Sequence, residues 1–161
     1  RELIDLAGQA YVTHGRGLSR LPQSEYLRFP GMERERIIPK AGYLGGDHPA
    51  AGIKWIASFP DNVGKGLARA SALMILNDLG TGRPTTVMEG SLISGQRTAA
   101  GAALAARTLH RGERYERVGV IGCGPINSET LRFLLADRRP VCAIGLFDLD
   151  AARMESFAAD L

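Results

Sequence analysis

Two glycines, a helix start and a distant acid are the residues of this chain whose types and spacing do chemistry. Val118-Gly119-Val120-Ile121 reads as a short strand, and Gly122-Cys123-Gly124-Pro125-Ile126-Asn127 as a tight turn that enters a helix. A second apolar run, 141–147, ends at Asp148. This is the layout of a dinucleotide-binding βαβ unit. Gly122 allows the turn, and Gly124 lets backbone amides approach a pyrophosphate. The helix that opens at Pro125 and Ile126 offers its N-terminal N–H groups to the same anion. Asp148 accepts hydrogen bonds from the adenosine ribose hydroxyls and repels a 2′-phosphate, which favours NAD over NADP. Asn127 stands where the fingerprint has its third glycine, so the helix cannot pack on the strand quite as closely.

The elements that must carry these residues follow from pattern. Thr98–Arg107 is Ala-rich with high helix propensity, and Arg111–Glu116 is a charged surface connection into the glycine-turn strand. A domain boundary falls near 112. Upstream, residues 1–20 are partly helical, ending at Gly15 and Gly17. Short strand-like stretches follow at 25–29, 36–38, 52–59, 71–76 and 85–88. A Gly42/Gly45/Gly46 loop and the turn-rich segment Asn77–Pro84 lie between them. Runs of this length with turns between predict a mainly antiparallel sheet. The fold class is therefore α/β: an α+β domain over 1–112, then the start of a Rossmann-type domain over 113–161.

Lys40, Lys54 and Lys65 are the only lysines among 20 basic side chains. Lys54 lies inside the apolar strand Ile53-Lys54-Trp55-Ile56, where an ammonium needs a cleft, a partner or a solvated edge. Arg97 falls in the first turn of the predicted Ala-rich helix. The helix dipole disfavours a cation there unless an anion is bound. Arg28, flanked by apolar neighbours, poses the same question. Asp61 and Asp78 read as turn-capping acids, and Glu89 as an acid near a turn.

At 161 residues, 45% hydrophobic and 23% charged, the composition is that of a globular domain or two. A net charge of +3 with scattered basic residues does not suggest nucleic acid. No run approaches a membrane span. His14, His48 and His110 are far apart, and no metal-ligand spacing occurs. Cys123 and Cys142 read as small hydrophobes in a reducing cytoplasm. The chain opens at Arg1 rather than Met, and only two parallel strands precede Leu161, so it reads as the front part of a longer enzyme.

Several stretches together resemble the ornithine cyclodeaminase/mu-crystallin family: Ala51-Gly52-Ile53-Lys54-Trp55, Phe59-Pro60-Asp61-Asn62, Asn77-Asp78 with Thr81-Gly82-Arg83-Pro84, Gln96-Arg97-Thr98-Ala99-Ala100 and Gly122-Cys123-Gly124-Pro125. They occur in the family's order over about three quarters of the chain. Tyr43-Leu44-Gly45-Gly46-Asp47, Trp55–Asn62, Arg69-Ala70-Ser71-Ala72 and Met88-Glu89-Gly90-Ser91 are similar to the branch that forms L-2,3-diaminopropionate for siderophores and peptide antibiotics. Ile38-Pro39-Lys40-Ala41-Gly42 departs from the family's usual apolar-Pro-Ala-Tyr stretch.

The resemblance implies NAD-dependent oxidation of N-((2S)-2-amino-2-carboxyethyl)-L-glutamate to an imine, hydrolysed to diaminopropionate and 2-oxoglutarate. It also implies a homodimer whose N-terminal domain binds substrate and dimerises. Arg28, Lys54 and Arg97 would bind the substrate's carboxylates, and Lys54 would also help activate water. Thr81 would lie near the nicotinamide and Thr98 near the cofactor phosphates. The family's catalytic aspartate would fall beyond Leu161. Two other functions compete: an ornithine cyclodeaminase, against which Trp55 and Met88–Ser91 argue, and a non-catalytic nucleotide-binding protein, against which Lys54 and Arg97 together argue.

Overall fold

The structure is a computed structural model that describes residues 2–161. Its contacts form two compact units: residues 10–94, and the residues up to Gln9 together with 95–161.

The first unit is a six-stranded antiparallel sheet of β1 (Ser19–Arg20), β2 (Leu27–Phe29), β3 (Met32–Leu44), β4 (Ala50–Ser58), β5 (Ala70–Asn77) and β6 (Pro84–Glu89). The order is β1-β3-β4-β5-β6, with β2 also paired to β3. The antiparallel expectation holds, but β3 is far longer than the expected 36–38. Gly42 lies within it opposite Gly52, and the turn to β4 begins only at Gly45. Pro39 and Gly42 read as breakers in sequence. Pairing with β2 ends at Ile37 and pairing with β1 begins at Tyr43, so Pro39 occupies an uncovered stretch of the β3 edge, where a missing N–H is tolerated.

Strand pleating sorts this sheet into two faces. One carries the row Pro39, Trp55, Leu73 and Glu89 and the row Ala41, Ile53, Ile75 and Val87. Trp55, Leu73 and Val87 remain exposed there. The other face carries the row Lys40, Lys54, Met74 and Met88.

In the second unit, α1 (Glu2–Gly15) contributes its first turns and α2 (Ser91–Leu109) most of its length. Ile4, Ala100, Ala103, Tyr115 and Leu134 form one core cluster. Fully buried Ala99 and Ala100 show what the small side chains of α2 are for: they allow close approach. Ala100 and Ala103 pack with Tyr115 and Leu134, and the contacts divide the chain between Ser94 and Gly95, inside α2.

Two parallel strands, β7 (Val118–Ile121) and β8 (Ile144–Phe147), are joined through α3 (Pro125–Leu135), and α4 (Ala151–Ala159) follows. Val120, Cys123, Leu131 and Phe157 form the second cluster. Of the apolar run from 141, Val141 makes only a bridge to Tyr115, and regular pairing begins at Ile144.

The start of α2 corrects one expectation. The helix begins at Ser91, so Arg97 lies beyond its first turn and escapes the penalty that the helix dipole places on a cation there. The cause is Glu89, whose carboxylate accepts from the backbone N–H groups of Ser91 and Leu92. These bonds, the Ser91 hydroxyl first, hold the Glu89 carboxyl below its usual range.

Candidate functional site

In the second unit the glycine turn takes the form its chemistry requires. Gly122 has φ +87°, a left-handed conformation that L side chains resist. Gly124 is the N-cap of α3 at φ −96°, ψ 172°, with Pro125 in the first turn and no side chain capping the helix. A Cβ on Gly124 would meet nothing within 4 Å. The turn thus presents backbone to open space at a helix N-terminus, which is what an approaching pyrophosphate needs.

Asn127, in place of the third glycine, donates through Nδ2 to the carbonyls of Ile121 at 3.0 Å and Gly122 at 2.7 Å. The amide side chain fastens helix to turn where the glycine fingerprint relies on close packing. The sequence showed the departure and not this compensation.

Asp148 is bound into the turn as well as placed beside it. Its Oδ2 accepts from the Cys123 N–H at 2.6 Å and its Oδ1 from the Asp150 N–H at 2.9 Å. Arg153 approaches within 3.8 Å. The Asp150 amide first, then the Cys123 amide and Arg153, hold the carboxyl below its ordinary range against the opposing effect of burial. A carboxylate has about four lone-pair sites, and the amides of Cys123 and Asp150 occupy two of them. Burial, with Asp148 adding to it, pushes the Cys123 thiol up and makes it a poor nucleophile.

In the sheet unit, the partner that Lys54 demands is Ser94. Nζ donates to Ser94 Oγ at 2.9 Å, and Ser94 is buried. Lys40 stands directly opposite Lys54 in the β3–β4 register. Neither Ser94 nor Lys40 was among the expected site residues. The run of apolar residues around Lys54 signalled a partner, but a contact across 40 positions of sequence leaves no local trace.

Arg28 donates to the Glu33 carbonyl at 3.2 Å and lies 5.7 Å from the Tyr26 ring, both local contacts. Arg97 is exposed. Thr81 lies in the β5–β6 hairpin, where its N–H and hydroxyl both donate to Asp78 Oδ1, at 2.7 and 2.6 Å. Those bonds, the hydroxyl's first, lower the Asp78 carboxyl, whose role is to shape the hairpin. Asp61 instead pairs with Arg34. Thr98 follows Arg97 on α2 and is half-buried. Among the described residues, no cluster of His, Cys, Asp and Glu is arranged to hold a metal ion, and no helix is long and apolar enough to cross a membrane.

The model of the ornithine cyclodeaminase/mu-crystallin family matches residues 14–161. The chain belongs to this family. Among its relatives is the N-((2S)-2-amino-2-carboxyethyl)-L-glutamate dehydrogenase of Staphylococcus aureus, 39% identical over 136 residues, which are 82% of this chain and 40% of that protein. The Δ1-pyrroline-2-carboxylate reductase of Thermococcus litoralis, solved with NADH and L-proline, superposes with a TM-score of 0.89 at 26% identity, over 98% of this chain and 48% of its own. An archaeal alanine dehydrogenase, solved as a dimer with bound NAD, gives 0.84 at 29% identity over 98% and 47%. The chain thus spans less than half the length of these relatives.

Proposed function

We propose that the intact protein is an NAD-dependent dehydrogenase that oxidises N-((2S)-2-amino-2-carboxyethyl)-L-glutamate and releases L-2,3-diaminopropionate and 2-oxoglutarate. The observation that carries this reading is the 39% identity to the S. aureus dehydrogenase across 82% of the chain. The Gly122–Ile126 turn and Asp148 fit the pyrophosphate and ribose of NAD. Bound there, NAD supplies a two-electron acceptor that takes the hydride from the glutamate α-carbon.

This chain's residues hold the substrate and manage its charge. The substrate has three carboxylates, and Lys54, Arg97 and Arg28 supply cations of the matching kind. Lys54 is oriented by Ser94. Loss of hydride and the amine proton leaves a C=N bond. Water, activated with the help of Lys54, adds at carbon, and C–N cleavage then yields the amine and the keto acid. The family resemblance assigns Thr81 to the nicotinamide and Thr98 to the phosphates. A homodimer is supported by the exposed Trp55, Leu73 and Val87 on the sheet face opposite Lys54. Siderophore or peptide-antibiotic biosynthesis in the cytoplasm is the setting that this product suggests.

The test is to supply NAD and the amino-carboxyethyl glutamate to the intact protein and follow NADH absorbance and diaminopropionate together. Equal amounts of both products are expected. Ammonia release from ornithine without net NADH would replace this reading with a cyclodeaminase. Cofactor binding with no turnover of any amino or imino acid would replace it with a non-catalytic protein.

A further inference from the structure

We propose that Arg36, Arg69 and the Ser58 hydroxyl form a carboxylate-binding subsite at one end of the sheet face that carries Lys54. The β3–β4 register sets Arg36 directly opposite Ser58, and the β4–β5 register continues that row to Ala70. Directly opposed residues project from the same face with Cβ atoms about 5 Å apart. Ser58 lies four positions after Lys54 on β4, so strand alternation puts both on one face, about 13 Å apart along the strand. Arg69 immediately precedes β5. Its Nη1 donates to Ser58 Oγ at 2.8 Å, and its carbonyl accepts from the Phe59 N–H at 2.8 Å. Two arginine side chains therefore flank one buried hydroxyl.

The cluster holds donors and no acid. Arg36 Nε is buried and has no hydrogen-bond partner. Ser58 is only 6% exposed, its Oγ accepts from Arg69, and among the described residues no acceptor takes its own proton. Neither arginine enters an ion pair among the described residues. Asp61, just beyond β4, is engaged by Arg34 at 3.2 Å. Glu35, beside Arg36 in sequence, forms no ion pair with either guanidinium. Arg36 is half-buried and Arg69 exposed, so a solute can reach the cluster.

A buried donor without an acceptor is a cost in the free protein. A guanidinium is planar and matches the two oxygens of a carboxylate, and hydrogen bonds of that kind are strengthened by charge on both partners. A carboxylate set beside Ser58 supplies acceptors for the Arg36 Nε–H, the Arg69 guanidinium and the Ser58 O–H together. A neutral ligand brings no charge to offset the two cations. That the carboxylate belongs to the substrate rests on the reading given under Proposed function. The subsite itself rests on the strand register and the unpaired donors. The proposed substrate carries a carboxylate in each of the halves into which it is split, and its two products present those halves separately.

The test is calorimetric titration of the intact NADH-loaded protein with 2-oxoglutarate and, separately, with L-2,3-diaminopropionate. The variants are Arg36→Met, Arg36→Lys and Ser58→Ala. Arg36→Met is expected to weaken one product about tenfold or more and the other by less than about twofold, and the affected product identifies the half that the subsite holds. Arg36→Lys keeps the charge without the fork and should recover part of the loss. Ser58→Ala should weaken the same product. Without ligand, Arg36→Met should melt no lower than the unmodified protein, because a buried donor without an acceptor is removed. In turnover of the amino-carboxyethyl glutamate, Arg36→Met should raise KM more than it lowers kcat. If Arg36→Met does not fold, Arg36→Lys and Ser58→Ala decide by the same comparison. An equal loss for both products, unchanged binding of both in the variants, or no binding of either by the unmodified protein would overturn the proposal. Failure of the unmodified enzyme to turn over the amino-carboxyethyl glutamate overturns the functional reading instead, and the titrations still decide the subsite.

Discussion

Replacing Gly122 and Gly124 separately by alanine tests whether the glycine turn is built for a ligand or only for the fold. The backbone sets opposite expectations for the two. Gly122 has φ +87°, and alanine there costs about 1–2 kcal/mol of left-handed strain. In a domain of roughly 60–100 residues, 1 kcal/mol corresponds to about 4–8 °C in Tm. Gly122→Ala should therefore melt several degrees lower, and its weakened NAD binding would be a consequence of a distorted turn. Gly124 has φ −96°, ψ 172°, and its missing Cβ points into open space. Alanine fits that conformation and, by restricting the unfolded chain, stabilises by about 0.4–1 kcal/mol at compatible sites. Gly124→Ala should match or exceed the unmodified Tm. The same methyl would stand between the pyrophosphate and the amides at the start of α3. Losing one charge-assisted hydrogen bond costs about 1.5–3 kcal/mol, roughly a 10- to 150-fold rise in Kd. The assay is thermal melting and NAD titration on the same samples. A stable Gly124→Ala that binds NAD as tightly as the unmodified protein would refute the reasoning, because the anion would then not lie on this turn.

Four further outcomes are expected. Lys54→Met and Arg97→Met should each lower kcat/KM by about 2–4 kcal/mol as a desolvated charge partner is lost. Arg97→Met should leave Tm unchanged. Lys54→Met should also lower stability by about 1 kcal/mol, read by denaturant titration, because one hydrogen bond to buried Ser94 is lost. Asn127→Ala removes both bonds to the turn carbonyls and should cost about 1–2 kcal/mol, whereas a variant as stable as the parent would show that these bonds are not what fastens α3. Asp148 has a depressed folded-state pKa, so its stabilising share is present above the unfolded value and lost as pH falls through the folded one. Asp148→Asn should accordingly show a shallower loss of stability than the parent between about pH 5 and pH 2. Asp148→Ser should narrow the preference for NAD over NADP in paired titrations, and a parent that binds NADP more tightly would remove the premise.

The sequence alone determined the features that rest on short-range pattern. The turn Gly122–Asn127 between two apolar runs specified a parallel βαβ unit, because Gly at the turn and Pro at the helix start leave few other backbone paths. Alternating apolar stretches broken by Asn77–Pro84 specified an antiparallel sheet. Lys54, out of place among Ile53, Trp55 and Ile56, announced that it needed a partner. Tertiary structure decided who the partners are. Glu89 caps α2 and moves its start to Ser91, which places Arg97 beyond the first turn, and helix propensity in the alanine run does not reveal that. Asp148 reaches back 25 positions to the Cys123 amide, and Ser94 receives Lys54 across 40. The register that sets Lys40 against Lys54 depends on a 13-residue β3 that Pro39 and Gly42 disguise in the sequence. The Asp148–Cys123, Lys54–Ser94 and Lys40–Lys54 pairings join residues distant in sequence that only folding brings together, so no local pattern encodes them.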